Sequence, residues 1–248
     1  MEHRTHTGLI RVMAWSGVVL VGSLALSFWL MGFLPPPSPA LPAEAIKAIF
    51  VERALQIRIG TAIECLGFTC YLTWACAIAM VLRFMERGLP VLTLVSVANA
   101  GAGVVFFLIM PFTWATLAYR APDLDAWFIQ VMNDWTWFTF ILSWPPFAVF
   151  MVMIGIAILR DHNVPRLMPR WVAMYNFWCA LTISPAALIE FFKTGPFTYA
   201  GLIDFWFIFA VFFGWMVTMT FVTVRACSRI DSIEASRKDQ GVSPAATL

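Results

Sequence analysis

Charged residues are scarce in this chain of 248 residues: Asp, Glu, Lys and Arg make up only 12% of it, whereas 61% is hydrophobic. Soluble domains carry about 25% charged residues, and half that share does not cover a water-facing surface. The composition therefore excludes a soluble globular enzyme and a disordered chain. A net charge of +2 provides no basic surface, which excludes nucleic acid as a partner. We predict an integral membrane protein whose surroundings are the lipid bilayer.

Histidine and paired cysteine are nearly missing as well. His3 and His6 lie in the N-terminal tail and His162 in a loop, so the membrane helices contain no histidine ligand for a haem, copper or di-iron site. The five cysteines include no CxxC pair and are odd in number, which disfavours a zinc site or a disulfide framework. We therefore predict that the protein holds no metal and no cofactor, and we interpret the two tail histidines as solvated.

Stretches without any charge define the predicted membrane spans. A helix needs roughly 20 apolar residues to cross a bilayer, and no run shows the period-two alternation of a barrel strand. We therefore predict an all-α, polytopic membrane protein with six transmembrane helices. Their expected positions are 12–34, 60–82, 90–116, 136–159, 171–190 and 201–224. The first apolar run is longer than the core of a signal peptide, and we expect it to remain as a helix.

The segments outside the spans differ in character. Residues 1–11 and 225–248 are expected to be tails, the second of them polar and disordered from Ser232 onward. Between the first two spans, a proline and an acidic first turn signal a helix start, and apolar and charged residues then alternate at roughly helical spacing. We predict a short helix on the outer interface over residues 41–58, within a membrane domain that covers residues 12–224.

Lysine and arginine are distributed unevenly between the two sides of the predicted bundle. Eleven of them lie in the tails and in the loops after the second and fourth spans, and five lie in the remaining loops. Basic residues mark the cytoplasmic side of a membrane protein. Both termini are therefore expected in the cytoplasm.

Carboxylates near the ends of the spans are the candidate functional residues, because ionisable groups within a membrane mark functional sites by default. Glu64, Glu190 and Asp204 lie roughly 28–31 Å from the basic residues at the inner ends of their helices, and the hydrocarbon core is about 30 Å thick. All three are therefore expected at the outer boundary. They are either interfacial residues that help to end their helices, or part of a polar layer that lines an outward-facing pocket. That candidate binding layer comprises Glu64, Arg53, Arg58, Asp134, Glu190, Lys193 and Asp204.

Prolines interrupt the fourth and fifth predicted spans at the same depth. Pro145, Pro146 and Pro185 lie roughly 21–22 Å from the inner ends of their helices, just below the level of the carboxylates. Proline removes a helical hydrogen bond and kinks the chain, so both helices are expected to bend there. Such paired bends either splay the bundle open towards the outside or have no function, since proline is common in membrane helices.

Three segments carry a resemblance to a known kind of protein. They are VPRLMPRW at 164–171, FFKTGPF at 191–197 and the Asn133-Asp134-x-x-Trp137 pattern. In these segments the chain resembles uncharacterised multi-pass membrane proteins of bacteria, loosely similar to the DUF4386-type families, and the likeness covers residues 35–225. The resemblance implies a bacterial cytoplasmic (inner) membrane. It implies no activity and provides no functional residues.

Three classes of function remain open. The missing metal ligands, nucleophile motif and internal repeat favour a non-enzymatic protein that binds a small apolar or lipid-like ligand or is a subunit of a membrane complex. The second class is an intramembrane enzyme that uses Glu64 or Asp204 as a general acid on a hydrophobic substrate. Small integral-membrane terpene cyclases are similar in size and in their membrane-embedded acids, but residues 62–65 (AIEC) lack the Trp-Glu pattern expected there. An ion-coupled transporter ranks third, because the ionisable groups gather on one side of the membrane.

Overall fold

Helices form all of the regular structure in the described part of the chain. A computed structural model describes residues 5–239, with side chains over residues 7–236. Eight α-helices follow one another: α1 (Thr5–Met31), α2 (Ala43–Glu52), α3 (Ala54–Met85), α4 (Val91–Arg120), α5 (Ala126–Leu142), α6 (Trp144–Leu159), α7 (Arg170–Thr182) and α8 (Ile208–Asp239). A 3-10 helix, Ser184–Phe191, follows α7, and a π-helical turn, Leu202–Phe207, leads into α8.

Six segments of the described chain are long and apolar enough to cross a membrane. They are Thr7–Met31, Ala54–Met85, Val91–Arg120, Ala126–Leu159, Arg170–Phe191 and Leu202–Ser236. The expected all-α, polytopic architecture with six spans is thus confirmed. Large apolar side chains such as Leu66 (74% exposed) and Leu202 (70% exposed) cover the outside, which suits lipid as the surrounding solvent and would be unfavourable in water.

Hydrogen bonds between connections identify the two ends of the bundle. At one end, the Arg11 guanidinium in α1 pairs with the Asp231 carboxylate in α8 at 2.6 Å, and we call this the termini end. At the other end, the Lys47 ammonium in α2 donates to the Leu124 carbonyl at 2.6 Å, and we call this the α2 end. The polar candidates of the sequence analysis belong to the α2 half of the molecule.

Glycines bring α1 and α3 close together. A Cβ on Gly67 would collide with the Ser23 side chain, and a Cβ on Gly60 would collide with Met31. Small residues allow this kind of close approach between membrane helices, which have no hydrophobic driving force for association within lipid. Glu64 lies between the two glycines along α3 and is fully buried.

The segment before the second span corrects the predicted interfacial helix. Its helix, α2, covers Ala43–Glu52 rather than residues 41–58, because Arg53 leaves helical geometry at φ −105° and ψ 18°. Residues 54–58 instead form the first turn of α3. Ile46 and Phe50 are 2% and 1% exposed, so α2 packs its apolar face against the rest of the bundle.

Both predicted tails are shorter than expected. The first helix begins at Thr5, and the last continues to Asp239, so the prediction of disorder from Ser232 is wrong as far as residue 239. The ion pair at the termini end ties the two helices together, and the Thr7 hydroxyl donates to Asp231 at 2.6 Å. Residues 1–4 and 240–248, the remainder of the predicted tails, lie outside the described residues, as does the side chain of His6.

The proline-rich positions interrupt the fourth and fifth spans, as predicted. The fourth span breaks at Ser143, one residue before α6 begins, and the fifth changes from α7 to a 3-10 helix after Ile183. Pro145 and Pro185 each lack an N–H donor and crowd the preceding turn, which favours the end of a helix just before them.

Candidate functional site

Asp204 lies in the turn that starts the last span. The Pro196 carbonyl accepts hydrogen bonds from the Ile203 N–H at 2.9 Å and the Asp204 N–H at 3.4 Å. A Cβ on Gly201 would collide with that same carbonyl, so only glycine fits at this close approach. The FFKTGPF segment and the glycine after it therefore build the π-helical turn that holds Asp204.

Asp204 is one of the residues around a cavity of ≈ 50 Å³ inside the bundle. Its walls come from α4, α5, α6, the end of α7 and the last span. Six phenylalanines line it: Phe107, Phe140, Phe147, Phe209, Phe212 and Phe213. Ile208, Phe212 and Phe213 are only half-buried, so this cavity, which we call the Asp204 cavity, is not sealed from the surrounding lipid.

The two helix breaks lie at the wall of the Asp204 cavity. Ile141 and Trp144, on either side of the break in the fourth span, line it, and so does Ile183 at the end of α7. An unbroken helix would keep its side chains packed against the neighbouring helices at Ile141, Trp144 and Ile183. The paired prolines therefore lie beside a small space between the helices.

Glu64 and Asp204 share one unusual property. Both side chains are 0% exposed, and neither carboxylate has a hydrogen-bond partner among the residues that the structure describes. The Ser27 hydroxyl neighbours Glu64 but donates to the Gly60 carbonyl at 3.0 Å. A buried polar group without a partner is costly, so each carboxyl needs a proton, a water molecule or a ligand.

The two buried acids lie on different elements, Glu64 in α3 and Asp204 in the π-helical turn. Glu64 faces α1 between the glycines of α3, whereas the described lining of the Asp204 cavity does not include it. Phe28 of α1 packs against Phe205 and Phe209 of the last span, with ring centroids 6.5 and 5.8 Å away. Aromatic rings thus connect α1 with the helix that carries Asp204.

Asp134 takes part in a third arrangement at the α2 end. Its carboxylate is half-buried and accepts a hydrogen bond from the Tyr199 hydroxyl at 2.7 Å. The Tyr199 ring stacks on Trp137 at a centroid distance of 5.5 Å, and Trp137 stacks in turn on Phe28 at 5.9 Å. Burial and the neighbouring Asp134 charge raise the pKa of Tyr199, which keeps the phenol protonated as the donor.

The remaining polar candidates lie on the surface. Glu190, Lys193, Arg53 and Arg58 are all exposed, and no salt bridge between Glu190 and Lys193 forms in the described structure. The Arg53 guanidinium lies beside Gly32, whereas Arg58 lies close to Tyr119. The candidate layer therefore does not surround one pocket: Glu64 and Asp204 are buried on different elements, Asp134 is half-buried, and the other four members are exposed.

Sequence reasoning did not identify the walls of the Asp204 cavity. The chain contains 23 phenylalanines, and neither their spacing nor their neighbours distinguish lining residues from the rest. Tyr199 carried no signal beyond that of an interfacial aromatic residue. The prolines were the one feature that pointed to the cavity, because they located the breaks beside it.

No described group of three or more His, Cys, Asp or Glu side chains is placed to hold a metal ion. No protein-family model, curated protein or solved structure has significant similarity to this chain.

Proposed function

We propose that this multi-pass membrane protein binds a lipid-like ligand whose small polar head enters the Asp204 cavity. One observation carries the proposal: Asp204, whose buried carboxyl has no hydrogen-bond partner among the described residues, lies at the wall of a cavity lined by phenylalanine. The head of such a ligand is a hydrogen-bond donor, either a hydroxyl or an ammonium group. An ammonium group would also be attracted to the aromatic faces.

The size of the cavity limits the ligand. At ≈ 50 Å³ it admits one or two water molecules or a small head group, since a water molecule occupies about 30 Å³ of liquid. A pocket that encloses a whole drug-sized ligand has about 300–1,000 Å³. The apolar remainder of the ligand therefore lies in the bilayer, which it reaches past the half-buried Ile208 and Phe213.

The test is to identify what copurifies with the full-length protein. We expect mass spectrometry of protein extracted in a mild detergent to detect an amphiphile bound in about one copy, and we expect Asp204→Leu to lose it. Glu190→Leu is the matched control, because it removes an exposed carboxyl that does not line the cavity. Recovery of the protein without any amphiphile, or equal retention by wild type and Asp204→Leu, would exclude the proposal. Copurification of another protein instead would favour a subunit of a membrane complex.

A second candidate is an intramembrane enzyme in which Asp204 is the general acid. The aromatic walls favour it, since they would stabilise a cation that forms when an apolar substrate is protonated. Glu64 is not among the residues that line the cavity, so Asp204 is the acid in this scheme. Turnover of a hydrophobic substrate that survives in Asp204→Asn would exclude it.

We also propose a bacterial cytoplasmic membrane as the location, with both termini in the cytoplasm. The excess of basic residues at the termini end and the resemblance of the FFKTGPF segment to bacterial membrane proteins support this. A fluorescent reporter that matures only in the cytoplasm should shine when fused to the C terminus and stay dark when inserted beside Lys193. The reverse pattern would overturn the orientation.

A further inference from the structure

Two arginines lie near one tyrosine at the α2 end, at a place that shares no lining residue with the Asp204 cavity. The Arg58 guanidinium carbon, in the first turns of α3, lies 5.5 Å from the centre of the Tyr119 ring. The Arg120 guanidinium carbon, at the end of α4, lies 5.1 Å from the same ring. Cation–π contacts at exposed sites contribute about 0.5–1 kcal/mol each, so Tyr119 holds the two cations near one another.

The charges of this pair are largely uncompensated. Arg120 approaches Asp123 at 3.9 Å, but both side chains are mostly exposed, and such surface pairs contribute little. Arg58 forms no salt bridge within residues 7–236. Both guanidinium groups thus lie at the same ring, and arginine binds phosphate groups through paired hydrogen bonds.

An open groove of ≈ 450 Å³ continues from the arginine pair between α3 and α4. Ala62, Cys65, Phe112 and Ala115 line it. The two threonines in its wall do not offer a free hydroxyl proton to the groove. The Thr61 hydroxyl donates to the Arg58 carbonyl, and the Thr116 hydroxyl donates to the Phe112 carbonyl. From Arg58 to Cys65 the helix rises about 10 Å, which is a third of the hydrocarbon core of about 30 Å.

We propose that this groove binds one anionic phospholipid, with the phosphate at Arg58 and Arg120 and the upper part of an acyl chain along Ala62 and Ala115. The positive pair lies at the ends of two membrane helices, where lipid phosphates are found, and the apolar groove begins directly beneath it. A zwitterionic lipid carries an ammonium group that the two arginines repel, so the charge pattern selects lipids with a net negative charge. This site is separate from the Asp204 cavity and does not depend on the function proposed for it.

Two charge-reduced variants test the head-group contact. The full-length protein is reconstituted in bilayer discs that contain equal amounts of phosphatidylglycerol and phosphatidylcholine, and the retained lipid is counted by native mass spectrometry. Wild type should retain one phosphatidylglycerol. Arg58→Gln combined with Arg120→Gln should retain it at least tenfold less. The matched control, Arg53→Gln combined with Lys193→Gln, removes the same charge from the same end of the bundle and should bind as wild type does.

A third variant tests the chain contact and guards against misfolding of the double variant. Ala62 is exposed, so Ala62→Phe should fold normally and fill the groove, and retention should again fall at least tenfold. The proposal is overturned if the arginine variant retains phosphatidylglycerol like wild type, if the control loses it equally, or if phosphatidylcholine is retained as strongly. Unchanged retention in Ala62→Phe would also overturn it.

Discussion

The Tyr199 hydroxyl donates a hydrogen bond to the Asp134 carboxylate at 2.7 Å and thereby joins the connection before the last span to α5. Tyr199 is 2% exposed and lies only five residues before Asp204. Its ring is fixed by stacking on Trp137. This contact is therefore one of the few polar links that hold the π-helical turn of Asp204 against the rest of the bundle.

Loss of this hydrogen bond should destabilise the protein. We expect Tyr199→Phe to lower the free energy of unfolding by about 1–2 kcal/mol, because a bond to a charged acceptor is lost while the stacked ring remains. Asp134→Asn should lower it by a similar amount, and the double variant should cost less than the sum. Thermal unfolding in detergent micelles measures this, with Tyr119→Phe as a control at an exposed tyrosine. Strictly additive effects of the two changes would contradict the coupling.

The raised pKa of Tyr199 predicts a contribution to pH dependence. In the unfolded chain a tyrosine loses its proton near pH 10, whereas the folded protein keeps it. The folded state then binds more protons, so stability should fall as the pH rises above about 10. Tyr199→Phe should show a shallower fall than wild type between pH 9 and 11, measured as the unfolding midpoint. Parallel curves for the two proteins would show that Tyr199 does not contribute.

Gly201 is required by the turn that positions Asp204. A methyl group there would collide with the Pro196 carbonyl, which is backbone and cannot move aside. We expect Gly201→Ala to destabilise the protein by about 1–3 kcal/mol and to reduce retention of the copurifying amphiphile. Gly214→Ala is the matched control in the same span, since the nearest atom, the Tyr175 hydroxyl oxygen, lies 3.9 Å away. Equal stability of the two variants would contradict this account of the turn.

The spans could be predicted from the sequence because lipid imposes a simple rule. A charge-free apolar run of about 20 residues is long enough to cross the hydrocarbon core as a helix. The same rule located Glu64 and Asp204 as exceptional residues. It does not specify which way a side chain points around its helix, and that direction separates Asp204 in a cavity from Glu64 between two helices. The aromatic walls were likewise unpredictable, because lipid-facing and cavity-facing phenylalanines have the same composition.

The length of α8, in contrast, was predicted wrongly from local composition. Polar composition from Ser232 predicted disorder, yet the helix continues to Asp239. The Ser232 and Ser236 hydroxyls each donate to the carbonyl four residues earlier, at 3.0 Å, and the pairing of Asp231 with Arg11 anchors this end to α1. A contact between residues 220 positions apart is not visible in local composition.

Glu64 should behave differently from Asp134 when its carboxyl is removed. Glu64 has no hydrogen-bond partner among the described residues, so Glu64→Leu removes an unsatisfied buried group and loses no bond. We expect it to raise the free energy of unfolding by about 1–3 kcal/mol, whereas Asp134→Leu should lower it. Thermal unfolding of both variants in the same micelles makes the comparison. A marked loss of stability in Glu64→Leu would reveal a partner such as a bound water molecule.

Gly103 connects the packing of α4 to the shape of the Asp204 cavity. A Cβ on Gly103 would lie 2.6 Å from the Phe147 ring, and Phe147 lines the cavity. Gly103→Ala must therefore displace this ring, while Gly101→Ala, two residues away, meets nothing within 4 Å. We expect Gly103→Ala to reduce retention of the amphiphile at least fivefold, which corresponds to about 1 kcal/mol, and Gly101→Ala to leave it unchanged. Mass spectrometry of the two purified variants measures the difference, and retention of phosphatidylglycerol at Arg58 and Arg120 should stay the same in both. If Gly103→Ala retains the amphiphile fully, the ligand does not touch the wall at Phe147, and the proposed site at Asp204 loses its support.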